Sequence, residues 1–170
     1  MSRFVLRLLD LMRFRAGPQD LPPGWPVAVA VTLAYLLQGL LADRLLGNAG
    51  GEPGDLPRSL VAVTVQILAT AMLLRARGLG ARLPQSVTAL TGAGFGFGLL
   101  STLLVLQAEP GQTQPWLALL WLGVFLWSLM VDGYIYRFAL STTMRLGMLV
   151  AVLIFALNFL IMGALFPGKS

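Results

Sequence analysis

From Ser86 to Leu106 the chain carries no charged residue, and inside that run glycine takes the alternate positions Gly92, Gly94, Gly96 and Gly98. About 20 consecutive apolar residues suffice for a helix to cross a hydrocarbon core roughly 30 Å thick, so the run predicts a membrane-spanning helix, the third and central one of five. At 100° per residue, Gly92 and Gly96 share a face with Ala89 and Ala93, while Gly94 and Gly98 fall on nearly the opposite face. Each face is a small-xxx-small surface of the kind that lets helix backbones approach closely in lipid, where burial of apolar area gives no drive to associate. Glycine in a helix costs roughly 1 kcal/mol against alanine in water; four in one span therefore predict close packing on both sides. The competing expectation is a locally unwound segment that presents carbonyls to a water-filled cavity. A dinucleotide loop is excluded, because no G-x-G pair here is followed three residues later by a third glycine and no strand precedes it.

The remaining chain repeats the pattern. Spans are expected at 25–46, 59–74, 86–106, 116–136 and 146–166, together forming a transmembrane bundle over 25–166. The second is the shortest, 16 residues or about 24 Å of helix; Arg58 and Arg75 can snorkel outward to lengthen it, and a re-entrant segment is the alternative. Trp25, Trp116, Tyr134 and Tyr136 mark the expected interfaces. Gly47 to Arg58, with Glu52 and Asp55, and Gln107 to Pro115, with Glu109, Pro110 and Gly111, read as polar turns, and Arg75 to Gln85 reads as a short basic loop. Pro167 and Gly168 end the last span, leaving a short periplasmic tail at 167–170. Only 11% of residues are charged and 57% are hydrophobic, against roughly 25% charged in soluble domains, so too few polar side chains exist to cover a water-facing surface. The fold class is all-α: a polytopic membrane protein of five transmembrane helices preceded by an N-terminal amphipathic interfacial helix.

That leading segment is Met1 to Ala16. Phe4, Val5, Leu8, Leu9, Leu11 and Met12 lie on one arc of a helical wheel. Arg3, Arg7, Asp10 and Arg13 lie on the other, with Leu6 and Phe14 as exceptions. Charges too frequent for a span, on a strongly sided helix, predict a cytoplasmic helix lying in the membrane surface, with Arg3, Arg7, Arg13 and Arg15 among anionic headgroups. A signal peptide fits less well, since charge interrupts the apolar core and no small-x-small cleavage site follows. Gly17 to Gly24, with Pro18, Pro22 and Pro23, completes 1–24 as a connector that cannot be helical throughout.

Five spans place Arg3, Arg7, Arg13, Arg15, Arg75, Arg77, Arg82, Arg137 and Arg145 on one side, leaving Arg44, Arg58 and Lys169 of the 12 basic residues on the other. The positive-inside rule then predicts a cytoplasmic N-terminus and a periplasmic C-terminus. The net charge of +5 belongs to this topology signal, and no nucleic-acid partner is expected.

Cysteine and histidine are both absent. Thiol nucleophiles, disulfides, thiolate or imidazole metal ligands and the commonest general base are thereby closed, so the chain is expected to be no enzyme and to hold no metal or cofactor. Asp132 is the acidic residue most apt to lie inside a helix of the bundle, and intramembrane acids are functional candidates by default. With Arg137 and Arg145 nearby it is a candidate ion-pair or proton site, the ion pair being the preferred reading. Asp43 is expected to pair with Arg58. Gln38, Gln66, Thr70, Thr88, Thr91 and Asn158 supply interhelical hydrogen bonds, and are too scattered along the chain to sketch a pore.

Asp20-Leu21-Pro22-Pro23 before the first span, a cytoplasmic N-terminus and five short-looped spans resemble the Yip1-type membrane proteins, whose pre-membrane motif is Asp-Leu-x-Gly-Pro. Here Pro23 stands where glycine is expected and Gly24 where proline is. The resemblance implies a trafficking or membrane-organising adaptor rather than an enzyme. The functional expectation is a non-enzymatic bacterial inner-membrane protein that packs with itself, as a homo-oligomer, or with a membrane-protein partner. The alternative is a small oligomeric transporter or channel that uses Asp132 and the glycine-rich third helix.

Overall fold

The computed structural model describes residues 2–47, 56–109 and 114–166. Six α-helices account for most of them: α1 (Ser2–Met12), α2 (Trp25–Gly47), α3 (Leu56–Ala76), α4 (Leu83–Val105), α5 (Pro115–Ala139) and α6 (Met144–Leu165), with single 3₁₀ turns at Pro18–Asp20 and Gly80–Arg82. Among the described residues there is no strand. Helices α2 to α6 are each long and apolar enough to cross a membrane. Met1, Glu52, Asp55, Pro110, Gly111 and the tail at 167–170 with Lys169 lie outside the described residues.

Side-chain pairings fix the directions. Tyr35 meets Gly94 and Gln38 meets Gly98, so α2 and α4 run parallel. Phe97 packs on Trp127 while Arg82 reaches Phe138, so α4 and α5 are antiparallel. Gly133 faces Gly147 across the α5–α6 hairpin, and Arg58 lies over Phe166, which makes α3 antiparallel to α6. The chain thus alternates, giving a proximal end (Trp25, Ala76, Leu83, Ala139, Met144) and a distal end (Gly47, Leu56, Val105, Pro115, Leu165).

Helix α4 is the most enclosed of the five long helices. Its two glycine faces receive different partners. A Cβ at Gly92 would lie 2.8 Å from Leu8 Cδ1 and one at Gly96 2.9 Å from Met12 Sδ, both on α1; a Cβ at Gly94 would lie 3.2 Å from Tyr35 Cε2, and one at Gly98 would overlap the Gln38 amide, both on α2. Ala89 and Ala93, on the first of these faces, are buried.

The elements differ from the sequence expectation mainly at their ends. Helix α3 gains a turn at its start, because Pro57 is tolerated in a first turn where its missing N–H has no partner to lose, and it runs on through Arg75. At 21 residues it is about 32 Å long, enough to span. Helix α4 begins at Leu83 directly after the 3₁₀ turn, again with a proline in its first turn, so the basic loop is shorter than expected. Helix α5 continues to Ala139 and stops by a left-handed residue, Ser141 (φ 49°), with Thr142 N–H donating to the Arg137 carbonyl at 2.8 Å. Thr143 caps α6 by accepting from Leu146 N–H.

Helix α1 ends at Met12, short of the Met1 to Ala16 segment expected. Phe14 takes the left-handed conformation (φ 61°), and Arg15 N–H closes back on the Asp10 carbonyl at 2.7 Å. Its apolar arc divides: Leu11 and Met12 are buried and Phe4 and Leu8 half-buried, whereas Val5 and Leu9 are exposed. Two bonds fasten the end of α1 to α5, from Trp127 Nε1 to the Met12 carbonyl at 3.0 Å and from the Tyr134 hydroxyl to the Phe14 carbonyl at 3.1 Å. Asp20 folds the connector by accepting from Gly17 N–H at 2.8 Å, and Leu21 beside it is buried.

Candidate functional site

A cavity of about 550 Å³ lies among α2 to α6, lined from the distal helix ends to Asp132. Each wall is one face of a helix. Tyr35, Gln38 and Ala42 of α2 follow a spacing of three or four, with Gly39 and Asp43 four apart beside them, as do Ser59, Ala62 and Gln66 of α3, Leu90, Gly94, Phe97 and Ser101 of α4, and Ser128 and Asp132 of α5; Met162 of α6 also lines the cavity. That spacing aligns side chains on one side of a 3.6-residue helix. The glycines of α4 leave room: their missing side chains let Tyr35 and Gln38 lie against the α4 backbone.

Polarity is distributed along the whole depth. Asp43 and Arg58 stand at the distal rim, with the Arg58 guanidinium 5.4 Å from the centre of the Phe166 ring. Gln38, itself buried, donates to Thr102 Oγ1 at 3.4 Å, and Ser128 donates to the Phe125 carbonyl at 2.8 Å. Gln66 is ten residues, about 15 Å, from either end of α3. Asp132 lies seven residues, about 10 Å of helix, from the proximal end of α5. Among the described residues, no hydrogen bond or ion pair engages its carboxylate. Beside it, Tyr136 and Thr70 share a buried hydroxyl–hydroxyl bond of 2.9 Å that ties α5 to α3.

The structure parts Asp132 from the two arginines grouped with it in the sequence. Arg137 lines a separate depression at the proximal end and stacks over Phe138 at 5.2 Å, and Arg145 is exposed at the start of α6. Arg3, Arg7, Arg13 and Arg15 are likewise exposed. Instead, the fold brings Asp132 together with Gln38 and Gln66, residues 94 and 66 positions away, and with Tyr35 and Ser128, which sequence reasoning did not single out. Only the i, i+4 step between Ser128 and Asp132, and the i, i+3 step between Tyr35 and Gln38, could have hinted at them. Of the other polar residues within the long helices, Thr91 accepts from Thr32 at 3.4 Å and Thr88 turns back to the Pro84 carbonyl, while Asn158 Oδ1 is buried without a partner among the described residues. No group of three acidic side chains gathers as a metal site among the described residues.

An unpaired carboxylate at the base of a polar cavity attracts cations or protons, and hydroxyl and amide oxygens above it can replace part of a hydration shell. Comparison of the chain with protein families, curated proteins and solved structures finds no match.

Proposed function

We propose that this is a small non-enzymatic transport protein of a bacterial inner membrane, in which the cavity is a vestibule for a small cation or a proton and Asp132 is its binding group. In this reading the proximal end, with Arg75, Arg77, Arg82, Arg137 and Arg145, faces the cytoplasm and the vestibule faces the periplasm. Leu119, Phe159, Leu160 and the other strongly exposed apolar side chains of α2 to α6 face lipid, since an apolar surface of that extent has no stable place in water. Helix α1 lies along the proximal half of α4, with Leu8 at Gly92 and Met12 at Gly96, and its exposed Val5 and Leu9 face acyl chains.

One observation carries the reading: the cavity's deepest acid has no cationic partner among the described residues, although arginine is the commonest charged residue in the chain. A carboxylate placed for bundle stability alone is expected to be paired, because an unpaired charge inside a membrane protein is costly. The test is flux of protons and of monovalent cations into liposomes holding the purified protein. Flux above that of empty liposomes and its loss in Asp132→Asn are the expected results. Absence of flux together with a membrane-protein partner that co-purifies in fixed ratio would favour the packing or adaptor role instead.

A further inference from the structure

The second cavity, about 410 Å³ at the proximal end, is lined by Arg82, Arg137, Gln19, Gln85, Ser141 and Thr142 among others, and no aspartate or glutamate lines it. We infer that it is a phosphate-binding site, which takes the phosphate oxyanion of an anionic glycerophospholipid headgroup or of free phosphate. The vestibule is not involved, so the inference stands apart from the transport reading.

Side chains from four parts of the chain, with the start of α4, build the site. Arg82 precedes α4 and its Nη1 donates to the Phe138 carbonyl at 3.0 Å, to the Ala139 carbonyl at 3.4 Å and to Ser141 Oγ. All of these bonds run from one nitrogen. The guanidinium is thereby held in place while its Nε and Nη2 donors stay outside these bonds, the arrangement of a preorganised cation. Arg137 is fixed differently, by its position over the Phe138 ring. Two guanidinium groups thus share one depression with no counter-charge in its wall, and paired arginines are the usual protein answer to a phosphate group. The beginning of α4, a 23-residue helix, adds the positive end of its dipole. Gln85 is anchored by donating to the Leu21 carbonyl at 3.1 Å, and Thr142 and Ser141 add hydroxyls from the α5–α6 turn. The volume lies within the range of small-ligand pockets, and helix ends are the level at which a span meets lipid headgroups.

The experiment is native mass spectrometry of the full chain in detergent, titrated separately with phosphatidylglycerol, phosphatidylcholine and inorganic phosphate. Each titration is repeated for Arg137→Gln, Arg137→Lys and the exposed-charge control Arg145→Gln. Saturable binding of phosphatidylglycerol, weakened tenfold or more in Arg137→Gln, severalfold in Arg137→Lys and less than twofold in Arg145→Gln, supports the lipid source. The same pattern with inorganic phosphate, and none with lipid, supports the soluble one. Unchanged melting of Arg137→Gln without ligand shows that the variant folds; should it not fold, the Arg137→Lys titration decides alone. Equal weakening in Arg137→Gln and Arg145→Gln, or no saturable binding of any of the three ligands, overturns the inference.

Discussion

The tightest crossing in the bundle predicts a sharp result for one added methyl group. A Cβ at Gly147 would overlap the Gly133 carbonyl oxygen and lie 2.8 Å from the Arg137 backbone nitrogen and 3.2 Å from the Arg137 Cα. These are backbone atoms of α5 and cannot swing aside as a side chain does. Relief of the clash requires α5 and α6 to separate by about 0.5–1 Å, which forfeits a quarter to a half of each van der Waals contact along the crossing. With about 40 such atom pairs, the number one buried leucine makes, at 0.1–0.2 kcal/mol each, the loss is about 1–4 kcal/mol, in line with the usual 1–3 kcal/mol for overpacking. Alanine's better helix propensity offsets at most about 1 kcal/mol of it. Gly163 supplies the control, since a Cβ there meets nothing within 4 Å. Reversible unfolding in mixed micelles, followed by tryptophan fluorescence, should show Gly147→Ala destabilised by about 1–2 kcal/mol net and Gly163→Ala unchanged or slightly stabilised. Equal stability of the two variants would refute the argument that this glycine sets the α5–α6 distance.

Three further outcomes follow from the same geometry. Gly96→Leu should lower stability far more than Leu100→Ala, because a leucine at 96 displaces Met12 and with it the seat of α1; equal melting temperatures would remove the packing role of that face. Tyr136→Phe should cost about 1 kcal/mol and Thr70→Val more, since it also loses the 2.7 Å bond to the Gln66 carbonyl; the double variant should cost less than the sum, as expected when the two residues share a bond, and additive losses in the unfolding assay would contradict it. Asp132→Asn should abolish flux while raising the melting temperature, by about 2–4 °C for each kcal/mol recovered on removing an unpaired charge; a fall in melting temperature would instead mark Asp132 as a structural partner.

Much of the architecture is legible in the sequence because membrane helices are written as uncharged runs, and the two glycine faces of α4 follow from helical periodicity alone. The identity of what fills those faces is not. Leu8 and Met12 reach Gly92 and Gly96 from α1, which ends at Met12 as the chain turns at Phe14, a left-handed residue that neither glycine nor asparagine marks in the sequence. The crossing of α5 and α6 was equally silent: Gly133 and Gly147 are single glycines in separate helices, and they form a pattern only once the hairpin at 140–143 folds them together. The vestibule was hidden for the same reason. Gln38, Gln66 and Asp132 look scattered along the chain, and only the parallel pairing of α2 with α4, and of both against α3 and α5, assembles them. Nearness in sequence also grouped Asp132 with Arg137, yet five residues along a helix turn the two side chains about 140° apart, toward different cavities.

For Asp132 to bind a cation or a proton, water must reach it from the distal end of the bundle. The chain has no cysteine, so a single Ser128→Cys, in the vestibule wall, and a single Phe159→Cys, at a side chain 72% exposed on the outer face of α6, can be compared directly in intact cells and in inverted membranes. A membrane-impermeant maleimide should label Ser128→Cys from the periplasmic side and leave Phe159→Cys, buried in lipid, unmodified. Labelling of Ser128→Cys no faster than that of Phe159→Cys, or only from the cytoplasmic side, would contradict the account.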